Sequence, residues 1–275
     1  VVVKPAYAEQ FEPERLRPIV PLHIDGPMTK EWAWGGATGA GVKVAIIDSG
    51  VDADHPLVQG VAGGVVLEHD PDVDGEVTYE EGPHGDLFGH GTACAGIIKK
   101  VAPECEIYSI RVLGKLLTGK SIVFAAGIRW AIENGMHVVN MSLSTGQKDY
   151  FGMFHQLADL AYFRNVALVC AINNTPPKFG PSYPSEYSSV FSVAAHDGKD
   201  PFGFDYNPNP PVEFGAPGIN IEVAWADMGT TDGIGNSFAA PHIAGLVARI
   251  LSKHPGLTPF QIKTILHSIA DNHQK

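Results

Sequence analysis

Cysteine is scarce in this chain: three among 275 residues, Cys94, Cys105 and Cys170, with no C-x-x-C pair. An odd, dispersed set builds neither a disulfide framework nor a zinc site. It favours a reducing, cytoplasmic compartment, with a secreted mature form as the alternative. Basic residues are few as well: 19 Lys and Arg against 30 Asp and Glu give a net charge of −11. Nucleic acid is therefore not an expected partner, because phosphate contacts need clustered cations. The acidic surplus reads as spread over the surface rather than gathered in one cleft. No apolar run approaches the ~18–20 residues that span a bilayer, so no membrane association is expected. The first thirty residues hold Pro5, Glu9, Glu12, Glu14 and Asp25 and do not read as a signal peptide. There is no internal repeat and no low-complexity tract. Although His numbers 12, H-E-x-x-H is missing, and neither a metal nor another cofactor is expected.

What is present is a chain with 44% apolar and 18% charged residues, enough to fill a large core. Short β-branched apolar runs at 42–47, 107–112, 137–141, 166–171 and 190–194 have the character of strands covered on both faces. Helical patterns alternate with them at 90–100, 121–134, 150–164, 238–253 and 259–270. Strand-then-helix alternation predicts an α/β fold, a doubly wound, mostly parallel sheet with helices on both faces, in a single domain. Residues 1–34, rich in Pro and Glu, read as an N-terminal extension whose Trp32 and Trp34 pack on the main domain, 35–275. The acidic stretch 68–86 and the Pro/Asn-rich stretch 202–211 read as surface loops. The glycines of 35–41 precede a strand rather than follow one, which rules out a dinucleotide-binding turn.

Three segments carry the chemistry: Asp48-Ser49-Gly50, Gly89-His90-Gly91-Thr92 and the run from Gly235 through Ser237 to Pro241-His242. A serine hydroxyl is a weak nucleophile at neutral pH. It needs an imidazole to take its proton and a carboxylate to fix the imidazole tautomer. Asp48 ends an apolar run, as reactive groups do at the carboxyl ends of parallel strands. His90 opens a predicted helix, a position that favours a neutral imidazole. Ser237 opens another, with Pro241 near the first turn, where a missing N–H costs least.

The segments resemble those of the subtilisin-like serine proteases, the subtilases, in both motif and chain order. Asp48-Ser49-Gly50 is followed by His55-Pro56, and Ser237-Phe238-Ala239-Ala240-Pro241-His242 is similar to the family's Ser-x-Ala-x-Pro-His. A cysteine four residues after His90, Cys94, resembles the proteinase K and kexin branches. The resemblance covers roughly residues 31–270 and implies the subtilisin-like fold over 35–275. It also implies a catalytic triad of Asp48, His90 and Ser237. In the family's small-small-Gly-Asn pattern, Asn173 falls at the oxyanion donor, Ile172 at the glycine and Asn174 at a turn. Asn236 stands where the family has Thr. Ser142, Leu143 and Ser144 resemble one substrate-binding edge, and Thr118 and Gly119 the opposite one, with Ser144 and Ile172 reshaping the primary pocket. Many subtilases insert a calcium loop after the His helix; here 97–100 runs directly into Val101-Ala102-Pro103. The implied function is a serine endopeptidase acting through an acyl-enzyme on peptide or protein substrates, in the manner of a selective precursor-processing protease. A prosegment or inhibitor is an implied partner. A peptide transpeptidase or macrocyclase on the same triad, and a non-cleaving peptide binder, are the alternatives.

Overall fold

The run Val44-Ala45-Ile46-Ile47 becomes the middle of β1 (Lys43–Asp48), and its side chains divide between two cores. Val44 and Ile46 face one, Ala45 and Ile47 the other, as the two-residue period of a strand requires. Burial on both faces is why the run is continuously apolar rather than alternating. The computed structural model describes residues 12–15, 26–73, 75–82, 84–174 and 180–273.

Around β1 the sheet is built from β2 (Gly63–His69), β3 (Val77–Glu81), β4 (Glu106–Arg111), β5 (Val138–Met141), β6 (Ala167–Ala171), β7 (Phe191–His196), β8 (Asp205–Tyr206) and β9 (Phe214–Pro217). The order is β3-β2-β4-β1-β5-β6-β7-β9-β8. The pairs between β2 and β9 are parallel, and only β3 and β8, at the two edges, run antiparallel to their neighbours. This is the expected doubly wound α/β sheet. The stretch read as a loop over 68–86 is in part a hairpin arm, since β2 reaches His69 and β3 lies within it. Its charged, exposed β3 has the character of an edge strand protected against further pairing.

Helices α2 (His90–Val101), α5 (Asn236–Lys253) and α6 (Pro259–Ile269) cover one face; α3 (Ser121–Glu133) and α4 (Phe151–Phe163) cover the other. A separate ribbon of β10 (Ile219–Ala224) and β11 (Thr230–Ile234) leads into α5. Residues 30–34 form α1 (Lys30–Trp34), which enters the core through Ala33 and Trp34. Trp32 stacks on His254 at 4.6 Å, and Lys253 Nζ donates to the Glu31 and Gly35 carbonyls. The rest of the expected 1–34 extension, residues 1–29, lies mostly outside the described residues. No described helix is long and apolar enough to cross a membrane.

Candidate active site

β1 sits where the strand order reverses, with β4 on one side and β5 on the other, and Asp48 is its last residue. Open α/β sheets place ligands in the crevice at that point. Asp48 is fully buried. Its carboxylate accepts the Ser49 backbone N–H at 2.8 Å and, through Oδ1 and Oδ2 at 2.8 and 2.9 Å, the His90 Nδ1–H. That bond fixes the ring so that Nε2 is the free basic nitrogen.

His90 is the first residue of α2. The approach of α2 to β1 requires Gly91: a Cβ there would lie 2.0 Å from the Gly50 carbonyl oxygen and 3.1 Å from Asp48 Cβ. Burial, the largest influence, pushes the imidazole down. The charge of Asp48, its hydrogen bond and the charge of Asp86 push it up and prevail, so His90 titrates above its ordinary 6.5. The helix-terminus argument from sequence, which favoured lowering, is outweighed by two carboxylates.

Ser237 is the second residue of α5, after an N-cap Gly235 at φ 153°. The His90 ring lies 5.3 Å from that of Phe238. Between the two helices sits Cys94. Its sulfur, a His90 ring nitrogen and an Asp48 oxygen lie within 4.8 Å of one another, and it also points to the Ser237 carbonyl at 3.6 Å. All three cysteines are buried and unpaired. Burial, joined by the charge of Asp48, pushes the Cys94 thiol well above its ordinary value.

Two sequence expectations need correction here. Pro241 is inside α5, not near its start. Having no N–H, it cannot donate to the carbonyl four residues back, which is that of Ser237. Ser142, read as a substrate-binding residue, supplies the missing donor: its hydroxyl reaches the Ser237 carbonyl at 2.8 Å and accepts from Asn140 Nδ2 at 3.0 Å. Ser142 is therefore a buried brace for the backbone of Ser237.

Two adjacent asparagines, the expected oxyanion donor Asn173 and its neighbour Asn174, both bond to Asn236 at the start of α5. Asn173 holds by its backbone, its N–H donating to Ser182 Oγ at 3.0 Å and its C=O accepting Asn236 Nδ2 at 3.2 Å. Asn174 meets the helix start with its side chain. Its Oδ1 accepts the Asn236 N–H at 2.8 Å. Asn174 Nδ2 and Ser237 Oγ both crowd the space where a Cβ on Gly235 would sit, at 3.4 and 3.3 Å. Asn174 Oδ1 is committed to the Asn236 N–H of α5. Asn236 ties the corner together, accepting Ala195 N–H at 2.8 Å and donating to Ile172 and Asn173 carbonyls at 3.1 and 3.2 Å.

The segments holding the remaining expected contact residues are tied by Ser121 Oγ and Thr145 Oγ1 at 3.1 Å. Ile172 is buried, and its N–H donates to the Val193 carbonyl. Leu143 and Ser144 follow β5, both half-buried. Exposed Thr118 and Gly119 line a cleft of about 220 Å3 with Leu87, Leu113, Glu68 and His69. Behind α2, Lys99 Nζ already donates to the Pro103 and Cys105 carbonyls at 3.1 and 2.8 Å, so the residues there do not fit a calcium ion. Among the described residues the one group of three with metal-ligand chemistry is Asp48, His90 and Cys94, the candidate site itself.

The Subtilase family model matches residues 39–275. The chain belongs to the subtilase family. It is 34% identical to Subtilisin DY of Bacillus licheniformis over 249 residues, 86% of this chain and 86% of that protein. It is 33% identical to the Thermostable alkaline protease of Halalkalibacterium halodurans, again over 86% of this chain but 63% of that longer protein. The crystal structure of a cold adapted subtilisin-like serine proteinase superposes with a TM-score of 0.67 at 27% identity, covering 86% of each chain. Residues 39–275 are thus a subtilisin-like serine protease domain.

Proposed function

We propose that this subtilase hydrolyses peptide bonds as a serine endopeptidase with Ser237 as nucleophile. The observation that carries the reading is the two-oxygen hold of Asp48 on His90 Nδ1, at 2.8 and 2.9 Å, beside a serine that opens α5. Ser237 Oγ attacks the scissile carbonyl carbon as His90 Nε2 takes its proton. The C=O electron pair moves onto oxygen, and Asn174 Nδ2 with the Ser237 N–H stabilises that oxyanion. His90 then protonates the leaving amine as the C–N bond breaks, leaving an acyl-serine that water opens by the same steps.

Selectivity for a precursor rather than broad digestion is supported by Ser144 and, once Asn174 is taken as the donor, by Asn173, which then stand where the family carries glycine in the primary pocket. An extended peptide bordered by 118–119 and 143–144 would add its backbone to those edges. A prosegment or inhibitor would occupy the same edges. Cleavage of a mixed peptide library, read by mass spectrometry, tests this. Linear products with a shared residue before the cut are expected. Cyclised or transpeptidated products would turn the reading to a ligase on the same triad, and intact peptides to a non-cleaving binder.

A further inference from the structure

The loop before α2 contains a second carboxylate that the triad chemistry leaves out. Asp86 is half-buried and lies four residues before His90. Four donors surround it: Ser49 Oγ at 2.7 Å and Phe88 N–H at 2.9 Å on Oδ1, Thr92 N–H at 2.8 Å and Thr92 Oγ1 at 2.7 Å on Oδ2. These belong to the two segments that carry Asp48 and His90.

The first turn of α2 explains the need. Its N-cap, Gly89, has no side chain to cap the helix, so the first N–H groups must find partners elsewhere. Gly91 N–H donates to Ser49 Oγ at 3.2 Å, and Thr92 N–H to Asp86. Asp86 and Ser49 together act as the cap that the local sequence lacks. Ser49 has one hydroxyl proton and two carboxylates within reach, Asp86 Oδ1 at 2.7 Å and Asp48 Oδ1 at 3.2 Å. The shorter contact draws the proton to Asp86. The Asp48 carboxylate then keeps its charge for His90.

We infer that Asp86 is a positioning residue for the triad, locking α2 to the end of β1 and turning the Ser49 hydroxyl away from Asp48. It touches neither substrate nor reacting atoms. This rests on the proposed peptidase reading. Losing its charge would act on His90 in one direction. The imidazolium would lose a stabilising anion, and the Ser49 hydroxyl would turn to Asp48 and weaken that carboxylate's hold. Both favour neutral His90. The other groups facing His90 are Asp48 from β1, Cys94 from α2 and the uncharged Ser237 and Phe238 from α5; Arg111 pairs with Asp48 in register on β4.

The test is Asp86→Asn, an isostere without charge whose amide would face donors on one side. Steady-state kinetics on a chromogenic peptide should show kcat lower by about tenfold or more with KM little changed, the size of effect that orienting partners have. The acid limb of kcat/KM should move to lower pH, and NMR titration of the His90 ring should move with it. Thr92→Val removes one donor and keeps the charge; it should lower kcat several-fold with the limb unmoved. An Asp86→Asn protein with kcat and acid limb like the wild type, or one that loses only melting temperature, overturns the inference. Should that variant not fold, an unchanged kcat in Thr92→Val overturns it instead. Fluorophosphonate labelling of wild-type Ser237 separates the cases: an unlabelled wild type removes the peptidase reading, whereas a labelled wild type with an indifferent Asp86 removes only this one.

Discussion

Asn174→Ala should all but silence the enzyme while leaving it folded. The substitution removes two things: the Nδ2 donor beside Ser237, and the Oδ1 that accepts the Asn236 N–H at 2.8 Å. The second is a stability matter. Asn174 is exposed, so water can replace its oxygen at the helix start. The cost should stay near the ~1 kcal/mol typical of a lost cap. The first is a transition-state matter, because the donor meets full negative charge only when the substrate carbonyl becomes tetrahedral. One such donor is worth about 10²–10³ in kcat, or roughly 2.7–4 kcal/mol, a figure carried over from a subtilisin asparagine rather than derived from this geometry. Burst titration should give the active-site concentration, and initial rates on a chromogenic peptide should show the loss in kcat with KM within about threefold. Asn173→Ala keeps the backbone bonds to Ser182 and Asn236 and should lose less in kcat than Asn174→Ala. If Asn173→Ala carried the 10²-fold loss and Asn174→Ala did not, the assignment of the donor would be refuted.

Because His90 must be neutral to accept a proton and is held above 6.5 by Asp48 and Asp86, kcat/KM should fall on acidification with a midpoint above that value; an acid limb below it would contradict the electrostatics. The same raised value stabilises the fold below pH 6.5, and that share is lost as pH rises through the folded-state value, which pH-dependent unfolding can follow. Lys263 Nζ donates to the Ser188 and Val190 carbonyls at 2.8 and 2.7 Å and to Glu213 at 2.6 Å, with side chains only 15% and 22% exposed. Lys263→Met strands these acceptors and should cost about 3 kcal/mol, a fall of roughly 6–12 °C in Tm; a change under about 1 °C would mean that water satisfies them.

Much of this was legible in the sequence where local chemistry is unambiguous. The buried strands announce themselves as β-branched runs because both faces of β1, β5 and β6 are covered. Asp48, His90 and Ser237 sit in motifs whose glycines the backbone needs, as Gly91 and Gly235 show. The hairpin of β2 and β3 was missed because an exposed, charged edge strand has the composition of a loop. The choice between two adjacent asparagines turned on a register that Ile172 and Asn173, departing from the family pattern, obscured. The Asn236 N–H, donated to Asn174 from a distant helix start, is what favours Asn174 in the proposed mechanism. Pro241 looked harmless from sequence alone. Its effect appears only when the Ser237 carbonyl is found braced by Ser142, a contact across 95 residues of chain. Asp86 gave no signal within an acidic stretch, because its meaning lies in which donors the fold brings to it.

The most direct test of the central claim is active-site labelling. Wild-type protein treated with a fluorophosphonate, digested and read by mass spectrometry should carry one adduct, on Ser237, and lose peptidase activity in proportion. Ser237→Ala should keep the same melting temperature, take no label and cleave nothing. A label on another serine, or hydrolysis by purified Ser237→Ala, would contradict the account.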